Sequence, residues 1–158
     1  MSDAPATDPT ALATEAARVL AELSGVPHHD LALVLGSGWG KAAGLLGEVV
    51  SEIPAEQVPG FHASAVAGHG GKLTSIRLPD GRYALVIGAR THFYEGHGVR
   101  AVVHGVRTAA AAGAKILILS MHDDAEHVQS AFGVGVHGYL PKESAETDLI
   151  DARRALRR

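Results

Sequence analysis

The sequence lacks several features, and each absence excludes a class of function. The chain of 158 residues has no cysteine, which excludes disulfides, thiolate metal sites and cysteine nucleophiles. It also has no asparagine, so it offers no site for N-linked glycosylation. Aromatic residues make up 4% of the chain, so its core must be aliphatic. The formal net charge of −3 excludes the basic surface that holds nucleic acid or an anionic membrane.

Long apolar runs are missing as well. Lys115 interrupts the most apolar region well before the length that a membrane span needs. Residues 1–9 are small and acidic, without the basic start of a signal peptide. The length suits one domain with a real core. We therefore expect a single cytoplasmic domain over residues 1–158.

Short apolar runs alternate with helical patterns along the chain. Asp8-Pro9 predicts the start of a helix that ends at Ser24-Gly25. Asp80-Gly81 predicts a hairpin turn. Short apolar or alternating runs predict strands at 31–35, 49–53, 73–77, 83–89, 116–119 and 138–140. This alternation predicts a three-layer αβα sandwich around a mainly parallel or mixed sheet, of the Rossmann or flavodoxin-like type.

A glycine-rich loop follows the first predicted strand. In Gly36-Ser37-Gly38-Trp39-Gly40, backbone N–H groups can approach an anion closely, and Ser37 adds a hydroxyl donor. The loop fits neither the dinucleotide pattern nor the nucleotide P-loop pattern, because Lys41 and Ala42 stand at positions that those patterns assign to other residues. A tight turn without a ligand is the alternative interpretation.

Two further segments contain residues suited to an anion. His69 stands in Gly68-His69-Gly70-Gly71, where the glycines leave its imidazole exposed. Arg90, His92 and Tyr94 follow the strand predicted over 83–89. An arginine can bind an oxyanion through two hydrogen bonds, and ligands of parallel sheets lie at strand ends. The alternative is a solvated loop with a surface pair between Arg90 and Glu95.

The ten histidines do not predict a metal centre. One compact group exists, His92-x-x-Glu95-x-His97, and it lacks the helical histidine pair of a zinc hydrolase. The other histidines are scattered along the sequence. We therefore expect no metal and no cofactor, with phosphate or sulfate as the anion that the loops would bind.

Three collinear motifs make the larger part of the chain similar to a known family. They are Leu33-Val-Leu-Gly-Ser-Gly-Trp-Gly40, Val66-Ala-Gly-His-Gly-Gly-Lys72 and Arg90-Thr-His-Phe-Tyr-Glu-Gly96. With them, residues 1–114 resemble the N-terminal half of a trimeric-type purine nucleoside phosphorylase. The resemblance implies phosphate binding by Ser37, His69 and Arg90, and contact with the ribose by His92 and Tyr94. It also implies that oligomers can form.

The rest of the chain resembles a different family. Lys115-Ile-Leu-Ile-Leu-Ser-Met-His-Asp-Asp124 and Gly138-Tyr-Leu-Pro-Lys-Glu-Ser144 are similar to the last two strand–helix units of a response-regulator receiver domain. The resemblance places the hydroxyl that meets a phosphoryl group on Ser120 and the essential lysine on Lys142. The receiver's acidic pair and its phospho-accepting aspartate belong to the half that is replaced.

Three hypotheses about function follow. The first is a recombined α/β chimera, deliberate or accidental, without a complete catalytic site. The second adds weak binding of phosphate by Ser37, His69, Arg90, Ser120 and Lys142 across one crevice. Asp123 and Asp124 oppose this binding unless they serve as helix caps. The third is a purine nucleoside phosphorylase that oligomerisation completes.

Overall fold

The structure is a computed structural model that describes residues 8–35, 43–61, 71–88, 103–120, 129, 133, 136–141 and 150–152. The first helix, α1, spans Pro9–Ser24, as the sequence predicts. The Asp8 carboxylate caps it by accepting a hydrogen bond of 2.9 Å from the Ala11 N–H. It ends at Gly25, which adopts φ 73° in the left-handed region. None of the described helices is long and apolar enough to cross a membrane.

Two shorter helices and a six-stranded sheet follow α1, and the described residues 129, 133 and 150–152 are also helical. The helices are α2 at Ala43–Leu46 and α3 at His104–Ala111, with a 3₁₀ turn at Ala55–Gln57. The strands are β1 at Leu31–Leu35, β2 at Glu48–Pro54, β3 at Lys72–Arg77, β4 at Tyr83–Ile87, β5 at Lys115–Ser120 and β6 at Gly138–Pro141.

The sheet is mixed, and its strand order is β2-β3-β4-β1-β5-β6. β1 pairs in parallel with β4 and with β5, and β5 pairs in parallel with β6. β3 pairs antiparallel with both β2 and β4. The β3–β4 hairpin turns at Asp80-Gly81, where Gly81 adopts φ 88°, as predicted. The expectation of an α/β fold with a mainly parallel or mixed sheet is confirmed.

Helices cover both faces of the sheet. Each strand can pack against both layers of helices, because its successive side chains point to opposite faces. Ala32 and Val34 of β1 belong to a buried cluster that includes residues of α1 and α3. Leu31 and Leu33 belong to a second buried cluster, which includes Leu46 of α2. β1 is therefore buried on both sides, as its uninterrupted apolar sequence predicts.

Asp30 aligns the starts of three parallel strands. Its backbone N–H donates to the Tyr83 carbonyl at 2.8 Å, and its Oδ2 accepts from the Tyr83 N–H at 3.0 Å. Its own carbonyl accepts from the Lys115 N–H at 3.0 Å. These three bonds fix the register of β1 against β4 and β5 before the strands begin.

Candidate functional site

The four parallel strands end side by side at one edge of the sheet, which we call the carboxyl edge. β1 ends at Leu35, β4 at Ile87, β5 at Ser120 and β6 at Pro141. The register pairs Ser120 directly with Pro141 and aligns the last residues of β1 with those of β4 and β5. Loops that leave such an edge form the crevice in which α/β proteins bind ligands.

The antiparallel strand β3 begins at the same edge. The Lys72 carbonyl accepts a hydrogen bond of 3.0 Å from the Gly88 N–H, just beyond the end of β4. The Lys72 side chain is exposed, and its Nζ lies 3.6 Å from Glu52 Oε2. A solvated ion pair of this kind contributes little to stability. The Lys72 side chain therefore places an ion-paired ammonium near the carboxyl edge and contributes little to the stability of the fold.

One predicted phosphate ligand lies within the described residues. Ser120 is the last residue of β5, at the carboxyl edge. The other predicted ligands lie outside the described residues: Ser37, His69, Arg90 and Lys142 on the phosphate side, and His92 and Tyr94 on the ribose side. In the sequence, each of the first four stands within three residues of a described strand end at this edge. The topology therefore brings together the strand ends next to all five phosphate-side residues.

No group of three metal-binding side chains occurs among the residues that the structure describes. The compact group over 92–97 lies outside them, as do Asp123 and Asp124. The expected absence of a metal stays a prediction, and so does the choice between repulsion and helix capping for the two aspartates.

His29 is a buried histidine whose partner is not evident from the sequence. Its Nε2 lies 2.9 Å from Ser75 Oγ of β3, and both side chains are fully buried. The pKa of His29 is lowered to about 4, mainly by burial and to a smaller extent by the charge of His28, while the Asp30 carboxylate opposes both effects. The imidazole is therefore neutral near pH 7 and joins the segment after α1 to the sheet.

His104, at the start of α3, is a second buried histidine whose partners the sequence does not reveal. Its Nε2 lies 2.8 Å from the Pro59 carbonyl oxygen and 3.4 Å from Thr108 Oγ1. The Phe61 ring meets the imidazole edge-on, with 4.9 Å between ring centres. α3 is thereby bound to the turn that follows β2.

The mixed sheet with helices on both faces defines an α/β protein. No family model matches the chain. Curated purine nucleoside phosphorylases are nevertheless similar to it: the Cellulomonas protein is 63% identical over 122 residues, which is 75% of this chain. The Mycobacterium leprae protein is 49% identical over 113 residues, or 72% of this chain. The chain spans 43% and 42% of the lengths of these two relatives.

Solved structures give the same similarity. A purine nucleoside phosphorylase from Schistosoma mansoni, in complex with acetate, superposes with a TM-score of 0.59 at 28% identity, over 68% of this chain and 39% of its own. Isoform 2 of that enzyme, in complex with cytosine and ribose-1-phosphate, gives 0.58 at 30% identity, over 68% of this chain and 37% of its own. The predicted similarity to this family is confirmed over three quarters of the chain. The boundary near residue 114 and the receiver-like origin of residues 115–158 stay predictions.

Proposed function

We propose that this chain provides the phosphate side of a site for purine nucleoside phosphorolysis. In that reaction a phosphate oxygen attacks C1′ of the ribose, the bond from C1′ to the purine nitrogen breaks, and the purine leaves with a proton. Phosphate is itself the second substrate, so the reaction needs no cofactor. The observation that carries the proposal is the 63% identity over 122 residues with the Cellulomonas purine nucleoside phosphorylase.

The phosphate side would combine hydroxyl, imidazole and guanidinium donors. Ser37 and His69 would each donate one hydrogen bond, and Arg90 two, to different oxygens of the anion. Their sequence positions beside β1, β3 and β4 support this assignment, because these strands have neighbouring ends at the carboxyl edge. Ser120 at the end of β5 and Lys142 after β6 would add a hydroxyl and a positive charge from the opposite side.

The ribose side would be formed by His92 and Tyr94, which follow β4 in the sequence. The Schistosoma mansoni isoform 2 structure contains ribose-1-phosphate, the sugar product of phosphorolysis. A site that binds phosphate at Arg90 would place such a sugar next to residues that follow Arg90 in the chain. This neighbourhood supports the assignment of both side chains.

Turnover requires a group that holds the purine as well, since orientation of both reactants supplies much of the acceleration. The family resemblance places the purine-binding groups in the second half of the phosphorylases. This chain spans 43% of the length of its Cellulomonas relative. We infer that the residues of this sequence are sufficient to bind phosphate. Phosphorolysis then occurs only where groups from another subunit or from further sequence complete the site.

We also propose that residues 115–158 have a receiver-domain origin, so that the chain is a chimera. The sequences of the segments at 115–124 and 138–144 support this proposal. The origin would give Lys142 the role of a phosphoryl-binding lysine. K142A should then weaken phosphate binding, whereas K115A, which removes the same charge at the opposite end of β5, should not.

Calorimetric titration with inorganic phosphate tests the proposed site. The R90A variant should lose phosphate binding, while R77A should bind as the original protein does. Arg77 is a matched control because it is exposed at the opposite edge of the same sheet. Equal affinity of R90A and R77A would overturn the assignment of Arg90.

An inosine phosphorolysis assay at high protein concentration tests turnover. A rate equal to buffer, together with phosphate binding, would support an incomplete site in this sequence. A rate that rises more steeply than protein concentration would show that subunits complete one another's sites.

A further inference from the structure

We infer that His104 is a positioning residue, which ties the turn at 58–61 to the end of β4 at the carboxyl edge. We call the group formed by Pro59, Gly60, Phe61, Ile87 and His104 the His104 clamp. Its consequence for phosphate affinity rests on the proposed function, whereas its geometry rests on the described residues alone.

The first part of the clamp is a hydrogen bond from helix to turn. His104 is 4% exposed, and its Nε2 lies 2.8 Å from the Pro59 carbonyl oxygen. A carbonyl can only accept, so Nε2 carries the proton and donates it. The buried Thr108 hydroxyl lies 3.4 Å from the same nitrogen, one helical turn further along α3.

The second part is the close fit between the turn and the imidazole. Gly60 adopts φ 83°, and a Cβ at this position would lie 2.4 Å from His104 Nε2. The Phe61 ring meets the imidazole at 62° with 4.9 Å between centres. The turn therefore has no room to approach the helix more closely, and the hydrogen bond prevents it from moving away.

The third part reaches the sheet. A Cβ at Gly105 would lie 3.5 Å from Ile87 Cγ2 and 3.8 Å from Phe61 Cε1, so the first turn of α3 lies against both side chains. Ile87 is the last residue of β4, and the next N–H, that of Gly88, donates to the Lys72 carbonyl at 3.0 Å. The clamp thus links three of the four described positions at which segments 62–70 and 89–102 begin or end.

His69 belongs to the first of these segments and Arg90 to the second. A binding site made from two separate segments needs their bordering backbone at a fixed distance, because small misplacements of donors weaken anion binding. We therefore expect the His104 clamp to affect phosphate affinity without contact between His104 and phosphate.

Two variants separate the donor from the packing. H104L introduces an apolar side chain of similar size and removes the N–H that donates to the Pro59 carbonyl. H104Q keeps an N–H donor at a comparable reach. We expect H104L to weaken phosphate binding about fivefold to tenfold in calorimetric titration, and H104Q to bind within about twofold of the original protein. Should H104L fail to fold, H104N replaces it, since its shorter amide does not reach Pro59.

Amide hydrogen exchange supplies a readout that does not need phosphate. We expect the loss of the donor to raise exchange at Phe61 in the turn and also at Gly88 beyond β4. H104Q should restore protection at both amides. Faster exchange at Phe61 alone would mean that His104 stabilises only its own turn, which would overturn the inference.

The two readouts distinguish the failure of each proposal. Absence of phosphate binding by the original protein would overturn the proposed function, and exchange at Gly88 would then decide on the clamp alone. Phosphate binding that H104L leaves unchanged would overturn the positioning role and leave the proposed function in place.

Discussion

His29 Nε2 and Ser75 Oγ lie 2.9 Å apart in the interior of the protein, although the two residues are 46 positions apart in the sequence. Both side chains are fully buried. The bond joins the segment between α1 and β1 to β3, and no backbone hydrogen-bond ladder connects these two parts of the chain. The imidazole must be neutral for this arrangement, because its charged form would be buried away from water.

Acid should destabilise the protein through His29. Burial lowers its folded-state pKa to about 4, below the ordinary value of 6.5, so between these two values the unfolded chain binds more protons than the folded one. Its contribution to stability is therefore complete above about pH 6.5 and is lost as the pH falls towards 4. The loss amounts to about 3 kcal/mol at pH 4.

Urea unfolding as a function of pH measures this effect. H29Q should abolish most of the slope between about pH 6.5 and pH 4, because glutamine does not titrate. H28Q is the matched control: the neighbouring histidine is exposed, so its removal should leave most of the slope. If H29Q and the original protein lost stability in parallel, the buried pair would not be the cause.

Two glycines near α2 should respond oppositely to alanine. A Cβ at Gly47 would lie 2.2 Å from the Arg77 carbonyl oxygen, whereas a Cβ at Gly44 would meet nothing within 4 Å. G47A should therefore cost about 1–3 kcal/mol, since β2 must move away from β3. G44A, inside α2, should be neutral or stabilise by up to about 1 kcal/mol. Chemical denaturation of both variants checks this contrast, and equal effects would contradict it.

Asp30 should stabilise the sheet through its side chain as well as its backbone. D30A removes the acceptor of the Tyr83 N–H, and we expect a cost of about 1–2 kcal/mol. D30N keeps an oxygen at that position and should recover most of the loss. Thermal melts of the two variants give the comparison; a D30N midpoint as low as that of D30A would point to the charge rather than to the hydrogen bond.

Local signals in the sequence were sufficient to predict much of the fold. The run Leu31–Leu35 is bounded by turn residues, and β1 has these bounds. Asp8-Pro9 and Gly25 mark the ends of α1 because a cap and a left-handed glycine act within one helical turn. β2 extends one residue beyond the predicted 49–53 at each end, where strand pairing rather than composition sets the limit.

Contacts between distant residues could not be predicted in this way. The strand order depends on which runs pair, and no residue pattern encodes that choice. His29 and His104 are two of ten histidines in the chain, and their partners Ser75 and Pro59 are 46 and 45 positions away. For the candidate site, the glycine loops and the family motifs predict which residues bind phosphate. The sheet shows that the strands next to these residues have neighbouring ends at one edge.

The measurement that tests the phosphate site most directly is a thermal melt in about 50 mM phosphate, with chloride at equal ionic strength as the control. A ligand that binds only the folded state adds about 2.7 kcal/mol at about 100 times its Kd, which raises the midpoint by several degrees. We expect this rise in the original protein and in R77A but not in R90A. A midpoint that phosphate leaves unchanged in the original protein would contradict the claim that the carboxyl edge binds phosphate.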